Sequence, residues 1–312
     1  MSLPPSTART STVGVLQALA AFMWWGLVTG IYFKSVEHVS SVELLAWRVL
    51  AGLPLMILLT ILGPGIAGVR HALPDRGAAW VLFLSSLLIA VNWLVFIFAV
   101  VSDRLVEASL GYYINPLVSV LLGRIVLNER LSRRQSVAIA IAFMGVLVFA
   151  WSSFGSIQAE EGGSHRLVDL PWIAIALPLS FGLYGLLRKQ MRADSVTGLT
   201  IEMVMLLPLM LGLQAYLVCT DGSSFGEFDR KTDLLLAVGG VVTVVPLLFF
   251  AAAARKLRLA TLGMLQYLAP TCQFLLAVLY FGEPVDAGRL LAFGLIWVAI
   301  AVYSIPWTPR RS

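Results

Sequence analysis

The chain has 312 residues, 59% hydrophobic and only 12% charged, with a mean hydropathy of +0.89 and a formal net charge of +5. A water-soluble domain carries about 25% charged residues, so a soluble globular fold is excluded. Two cysteines, Cys219 at a helix end and Cys272 inside a helix, form no disulfide framework and no metal site by their spacing.

Ten apolar blocks follow one another, near 13–33, 41–62, 77–100, 105–127, 134–151, 170–187, 197–218, 233–254, 259–281 and 286–306. Each has roughly the 17–25 residues that a helix needs to cross about 30 Å of hydrocarbon. They predict an all-α membrane protein of ten transmembrane helices. A barrel would show ~10-residue segments of alternating polarity instead. The first block is too long for a signal-peptide core and is read as a membrane helix.

The basic residues set the orientation. With the N-terminus cytoplasmic, fourteen Lys and Arg fall on inside segments and six on outside loops, while Arg48 and Arg124 lie within apolar blocks. Short loops obey the positive-inside rule, so both termini are expected in the cytoplasm of a multi-pass protein of the cell (inner) membrane. The pI of 9.4 thus reflects topology and not a nucleic-acid patch.

A shift of 154 residues sets GYYINPLVSVLL (111–122) against LQYLAPTCQFLL (265–276). Tyr113 meets Tyr267, Pro116 meets Pro270 and Glu129 meets Glu283; upstream, Phe96 meets Phe250 and Arg104 meets Arg258. The chain therefore divides into a first five-helix repeat (1–151), an external linker rich in Gly and Ser (152–169) and a second five-helix repeat (170–312). Five is odd, so the second repeat must enter the membrane from the opposite side, giving inverted-topology repeats of the kind found in secondary transporters.

Within the fourth block, Tyr112, Pro116, Ser119 and Gly123 share one helical face, with Tyr113 and Asn115 beside it. The ninth block carries Gln266, Tyr267, Pro270 and Gln273 in the same register. Both prolines are predicted helix breaks about 16 Å deep, each freeing a carbonyl that lipid cannot satisfy. The two stripes are read as walls of a substrate site, with Asn92 and Arg48 as further lining residues. The competing reading is that the prolines only kink the helices while the polar groups join neighbouring helices.

Ionisable groups inside a membrane mark function by default. Arg48 and Glu202 occupy equivalent positions in the two repeats, but their depths from opposite surfaces argue against a direct pair. Glu202 is the candidate for proton coupling, with an ion pair to Arg188 or Lys189 as its alternative. Arg48 either attracts an anionic group or reaches for the outer surface. Glu129 and Glu283 follow helix ends and read mainly as capping residues. Gly26 and Gly30 read as a small-residue pair for close helix packing.

The motifs ELLAWR (43–48), NWLVFIFAV (92–100), VEASLGYYINPLVSVLLG (106–123), LTIEMVMLLP (199–208) and LGMLQYLAPTCQFLLAVLYFGEP (262–284) come from both halves. Through them the chain resembles the RarD-type permeases of the drug/metabolite transporter superfamily, built from two EamA-type repeats. The resemblance implies a ten-helix inner-membrane transporter for a small metabolite or drug. The family label mentions chloramphenicol sensitivity, which names no physiological substrate. Relatives often read Ala-His-Arg where this chain has Ala46, Trp47 and Arg48, so a proton mechanism built on that histidine does not transfer.

The expected function is a secondary transporter, a permease or exporter working by alternating access, with proton coupling as an option and membrane lipid as its surroundings. No cofactor or metal is called for: the sequence holds no Walker-type phosphate loop and no His-Glu-x-x-His. An intramembrane enzyme and a passive channel are the alternatives. Saturable counterflow would separate transporter from channel, and covalent conversion would reveal an enzyme.

Overall fold

The computed structural model describes residues 11–101, 105–160, 172–220, 222–226, 229–280 and 287–304, and all regular structure among them is helical. Helix α1 (Thr12–Met23) passes through a π-helical turn (Trp24–Val28) into α2 (Thr29–Ser35). Then come α3 (Ser41–Leu50), α4 (Gly52–Leu62), the short α5 (Gly65–Ala72), α6 (Arg76–Val101) and α7 (Leu105–Ile125). The chain continues with α8 (Arg133–Glu160), α9 (Trp172–Gln190), α10 (Ser195–Cys219), α11 (Arg230–Lys256), α12 (Leu259–Gln266), α13 (Leu268–Leu279) and α14 (Ala287–Ser304).

Every apolar block is mainly helical over its described residues. Eight stretches among the described residues are long and apolar enough to cross a membrane, and they account for all the blocks except the fourth and sixth. Those two, α7 and α9, are diluted by polar and small residues such as Asn115, Ser119, Pro178, Ser180 and Gly182. Two details depart from expectation. Helix α8 runs on to Glu160, into the segment read as a linker, whose remainder lies outside the described residues. Pro116 does not end a helix, because α7 continues through it. The chain does bend near Pro270: that residue lacks the N–H that would bond Gln266, and the helix divides at Tyr267. Pro54 stands in the same relation to Leu50, and α3 and α4 divide at Ala51.

Local signals fix several helix starts. Ser11 accepts from the Gly14 N–H, and Asp194 accepts from Val196 and Thr197. Ser132 and Gln135 exchange hydrogen bonds as a capping box ahead of α8.

The helix pairings recur when the two halves are exchanged. Helix α6 packs on α9 as α11 packs on α1, and α7 packs on α9 as α12 and α13 pack on α1 and the π-helical turn. Three further close pairs, α8 with α14, α7 with α12 and α3 with α10, join equivalent positions. The largest core cluster draws Phe22, Leu45, Met56, Trp93, Tyr184, Met203 and Phe250 from both halves. Where α11 meets the α3–α4 break, a Cβ on Gly240 would collide with the backbone of Ala51 and Gly52, so only glycine permits this approach. Gly26 likewise lets the π-helical turn close on Ala269 and Cys272, and Gly30 sits against Leu276, as the small-residue pair predicts.

Candidate functional site

Arg48, in the last turn of α3, gathers groups from both halves. Its Nε donates to Thr243 Oγ1 of α11 at 2.8 Å, and Thr243 in turn donates to the Gly239 carbonyl at 2.9 Å. The guanidinium lies 4.8 Å from the Trp93 ring centroid and 5.7 Å from that of Phe33, within cation–π range of both. Tyr32 and Tyr112 are its electrostatic neighbours. Tyr112 leans on Phe96 with ring centroids 5.9 Å apart and keeps 36% of its surface accessible in the middle of α7. Helices α3 and α7 both pack on α6, which carries Trp93 and Phe96. The result is a half-buried cation with aromatic walls.

The other predicted site residues are distributed more widely. Tyr113 and Tyr267 are core residues: Tyr113 is 5% exposed, stacked on Phe149 at 4.1 Å and edge-on to Phe293, and Tyr267 is fully buried in the same cluster. Asn115 and Ser119 are buried on α7, which packs against α12; a Cβ on Gly263 would fall 2.7 Å from the Pro116 carbonyl and 2.9 Å from Ser119 Cβ. The Asn115 side-chain carbonyl is without a partner there. Gln266 is buried at the end of α12. Gln273 is exposed and donates to the Trp25 carbonyl at the π-helical turn. Asn92 points the other way from the expected cavity role: its amide donates to Ser180 and to the Leu177 carbonyl, both at 3.0 Å, tying α6 to α9.

Glu202 is buried in a network of its own. It accepts from Ser85 at 2.6 Å and from Tyr184 at 3.5 Å, and forms an ion pair with Arg188 at 3.5 Å. Arg188 also donates to the Ser195 carbonyl. Arg48 and Glu202 therefore have different partners, and of the two alternatives for the glutamate it is Arg188 that it meets. Lys189 turns instead to the Leu257 and Ala254 carbonyls and stands 4.0 Å from Glu129.

Glu129 does cap a helix, although in the opposite half. Its carboxylate accepts from Leu259 N at 2.7 Å and Ala260 N at 3.0 Å, the first residues of α12, with Arg258 at 3.9 Å. Gly123 leaves the room: a Cβ there would lie 2.8 Å from the Glu129 carboxylate. Glu283, its counterpart, lies outside the described residues. A second clasp went unpredicted. Glu43, fully buried, accepts from Ser224 N at 2.8 Å, Phe225 N at 3.3 Å and the Ser223 hydroxyl at 3.0 Å. Its spacing from Ser40 is that of a capping box, which points to a purely local role. Trp93 and Thr243 were also missed, since single tryptophans and threonines in apolar helices ordinarily signal packing.

Apolar helices in two matching sets, joined around a half-buried cation, fit a multi-pass membrane transporter. The chain belongs to the EamA-like transporter family, which it matches over residues 12–151 and again over 171–305. It is 40% identical to protein RarD of Escherichia coli strain K12 over 307 residues, covering 98% of this chain and 99% of that protein. A transporter of Pseudomonas aeruginosa is 41% identical over 303 residues, covering 96% of this chain and 95% of its own. A crystal structure sharing 18% identity superposes with a TM-score of 0.71 over 93% of this chain and 96% of that one, which establishes a common fold.

Proposed function

We propose that the protein is a secondary permease of the cell (inner) membrane, with ten crossings in two inverted repeats (1–151 and 170–312) and both termini cytoplasmic. The paired family matches, the helix pairings that recur on exchange of the halves and the inward bias of Lys and Arg support this architecture. It moves a small solute by alternating access. One observation carries the reading: the Arg48 group is built from α2, α3, α6 and α7 of the first half and α11 of the second, so rocking of one half against the other would remodel it.

In this reading Tyr112, Trp93 and Arg48 face the solute, and Asn92 braces the wall behind them. Glu202 acts as a brace between α9, α10 and α6, because a proton reaching it would have to compete with the Arg188 guanidinium and the Ser85 and Tyr184 hydroxyls. The test is counterflow in proteoliposomes, using a solute found by thermal-shift screening of amino acids, nucleosides, sugars, polyamines and aromatic acids. Saturable counterflow lost in Tyr112→Ala and Trp93→Ala supports the permease. Non-saturable flux would indicate a channel, and a chemically altered solute an enzyme. Proton-driven uptake that disappears in Glu202→Gln would return the coupling role to that residue.

A further inference from the structure

Arg48 and Glu202 are equivalent positions of the two halves, yet they differ in how far their hydrogen-bonding capacity is used. Glu202 is met by a guanidinium, a hydroxyl and a phenol. Arg48 has five N–H groups, and only the one on Nε has an acceptor among the described residues. Ion pairs among those residues join Lys34 to Glu37, Arg188 to Glu202, and Glu129 to Lys189 and Arg258; Arg48 takes part in none. A half-buried intramembrane cation whose Nη groups meet no acceptor among the described residues is open to an anion that reaches it.

We propose that the Nη groups of Arg48 bind the carboxylate of the transported solute, so that the substrate class is small organic monoanions with an apolar or aromatic body. The proposal rests on the permease reading above and adds the charge of the cargo. Three features converge on it. A guanidinium whose Nε is held by Thr243 is oriented in advance, and its free edge matches the two oxygens of a carboxylate. The Trp93 and Phe33 rings beside it, with the accessible face of Tyr112, offer contact surface to an apolar body. The Tyr32 hydroxyl is buried without a partner, and its oxygen lies against Gly239, whose carbonyl ends the Arg48–Thr243 chain. It is a second donor in the same neighbourhood. One cation matches one negative charge, which disfavours phosphate dianions, and it repels ammonium compounds.

The experiment compares three probes of nearly equal shape, 3-phenylpropanoate, 3-phenylpropanamide and 3-phenylpropylamine, by thermal shift of the full-length protein in detergent at neutral pH. Only the carboxylate should raise the melting midpoint. Arg48→Gln should weaken its binding by about 30-fold or more, and Arg48→Lys by less. The ligand-free Arg48→Gln protein should melt no lower than the parent, because a half-buried intramembrane cation in no ion pair among the described residues has been replaced by a neutral amide; this keeps loss of binding distinct from loss of fold. Phosphatidylglycerol, an anionic lipid that could occupy the same guanidinium, should leave the shift in place. Equal shifts from the amide or amine, no shift from the carboxylate, a shift that survives Arg48→Gln, or one that phosphatidylglycerol alone reproduces and saturates would each overturn the proposal. A shift by the amide or amine that Tyr112→Ala removes would sink the anionic class and leave the permease site standing.

Discussion

Removing Glu202 tests whether the buried Arg188–Glu202 network is a structural brace. Arg188 is 2% and Glu202 1% exposed, with the charged atoms 3.5 Å apart. At an effective dielectric near 20 the pair attraction is about 5 kcal/mol. Most of it offsets desolvation, so the pair adds little over an apolar substitute, while losing one partner costs about 3–5 kcal/mol. Glu202→Leu should therefore lower unfolding free energy by about 3–5 kcal/mol, since Arg188 would lose its ion pair and keep the Ser195 carbonyl and the face of Tyr184. Arg188→Met combined with Glu202→Leu should recover at least about 2 kcal/mol relative to the sum of the single losses. Unfolding in mixed micelles of mild and denaturing detergent gives all four free energies of the cycle. Additive losses, or a Glu202→Leu penalty below about 1 kcal/mol, would show that the two charges do not depend on each other.

Three more predictions concern the wall and the frame. Tyr113→Ala should cost about 3–5 kcal/mol of stability while leaving solute affinity per folded molecule unchanged, because its ring is stacked in the core; Tyr112→Ala should do the reverse, and melting curves set beside counterflow separate the two. Gly240→Val should fail to give a monodisperse protein on size exclusion, since its side chain meets the Ala51 backbone; Gly212→Ala, with nothing within 4 Å, should be neutral or up to about 1 kcal/mol stabilising. Burial raises the Asp194 carboxyl pKa, but hydrogen bonds from Thr197 and Val196 outweigh this and hold it below its usual 3.8. Its contribution is thus present above 3.8 and is lost as pH falls through the folded value. Asp194→Ala should cost about 1 kcal/mol near neutrality, and the gap from the parent should close in acid.

The helices were legible because apolar length is a strong signal in a membrane, and the repeat because its matched prolines and glutamates lie in register. The short α5 was not, since eight residues carry too little pattern. The fourth-block stripe lies on one continuous helix and the ninth-block stripe is split by the break at Tyr267, but a face in sequence does not say what it meets. Tyr112 and Tyr113 are neighbours about 100° apart on α7; one opens beside Arg48 and the other packs on Phe149. Contacts such as Arg48 with Thr243 and Glu43 with Ser224 span 195 and 181 residues, and nothing local announces them. Arg48 was visible because a charge in an apolar block stands out, whereas Trp93 and Thr243 were camouflaged by chemistry common to all membrane helices.

The two carboxylate clasps also bear on how the protein is made. Glu43 emerges from the ribosome 181 residues before Ser224, and Glu129 emerges 130 residues before Leu259. At about 5–20 residues per second those intervals last on the order of ten to thirty seconds. Through that time the first half is in the membrane with two acids whose backbone partners have not been synthesised. A nascent chain halted after the first repeat should therefore be a target for membrane quality control, and the second repeat acts as its in-cis folding partner.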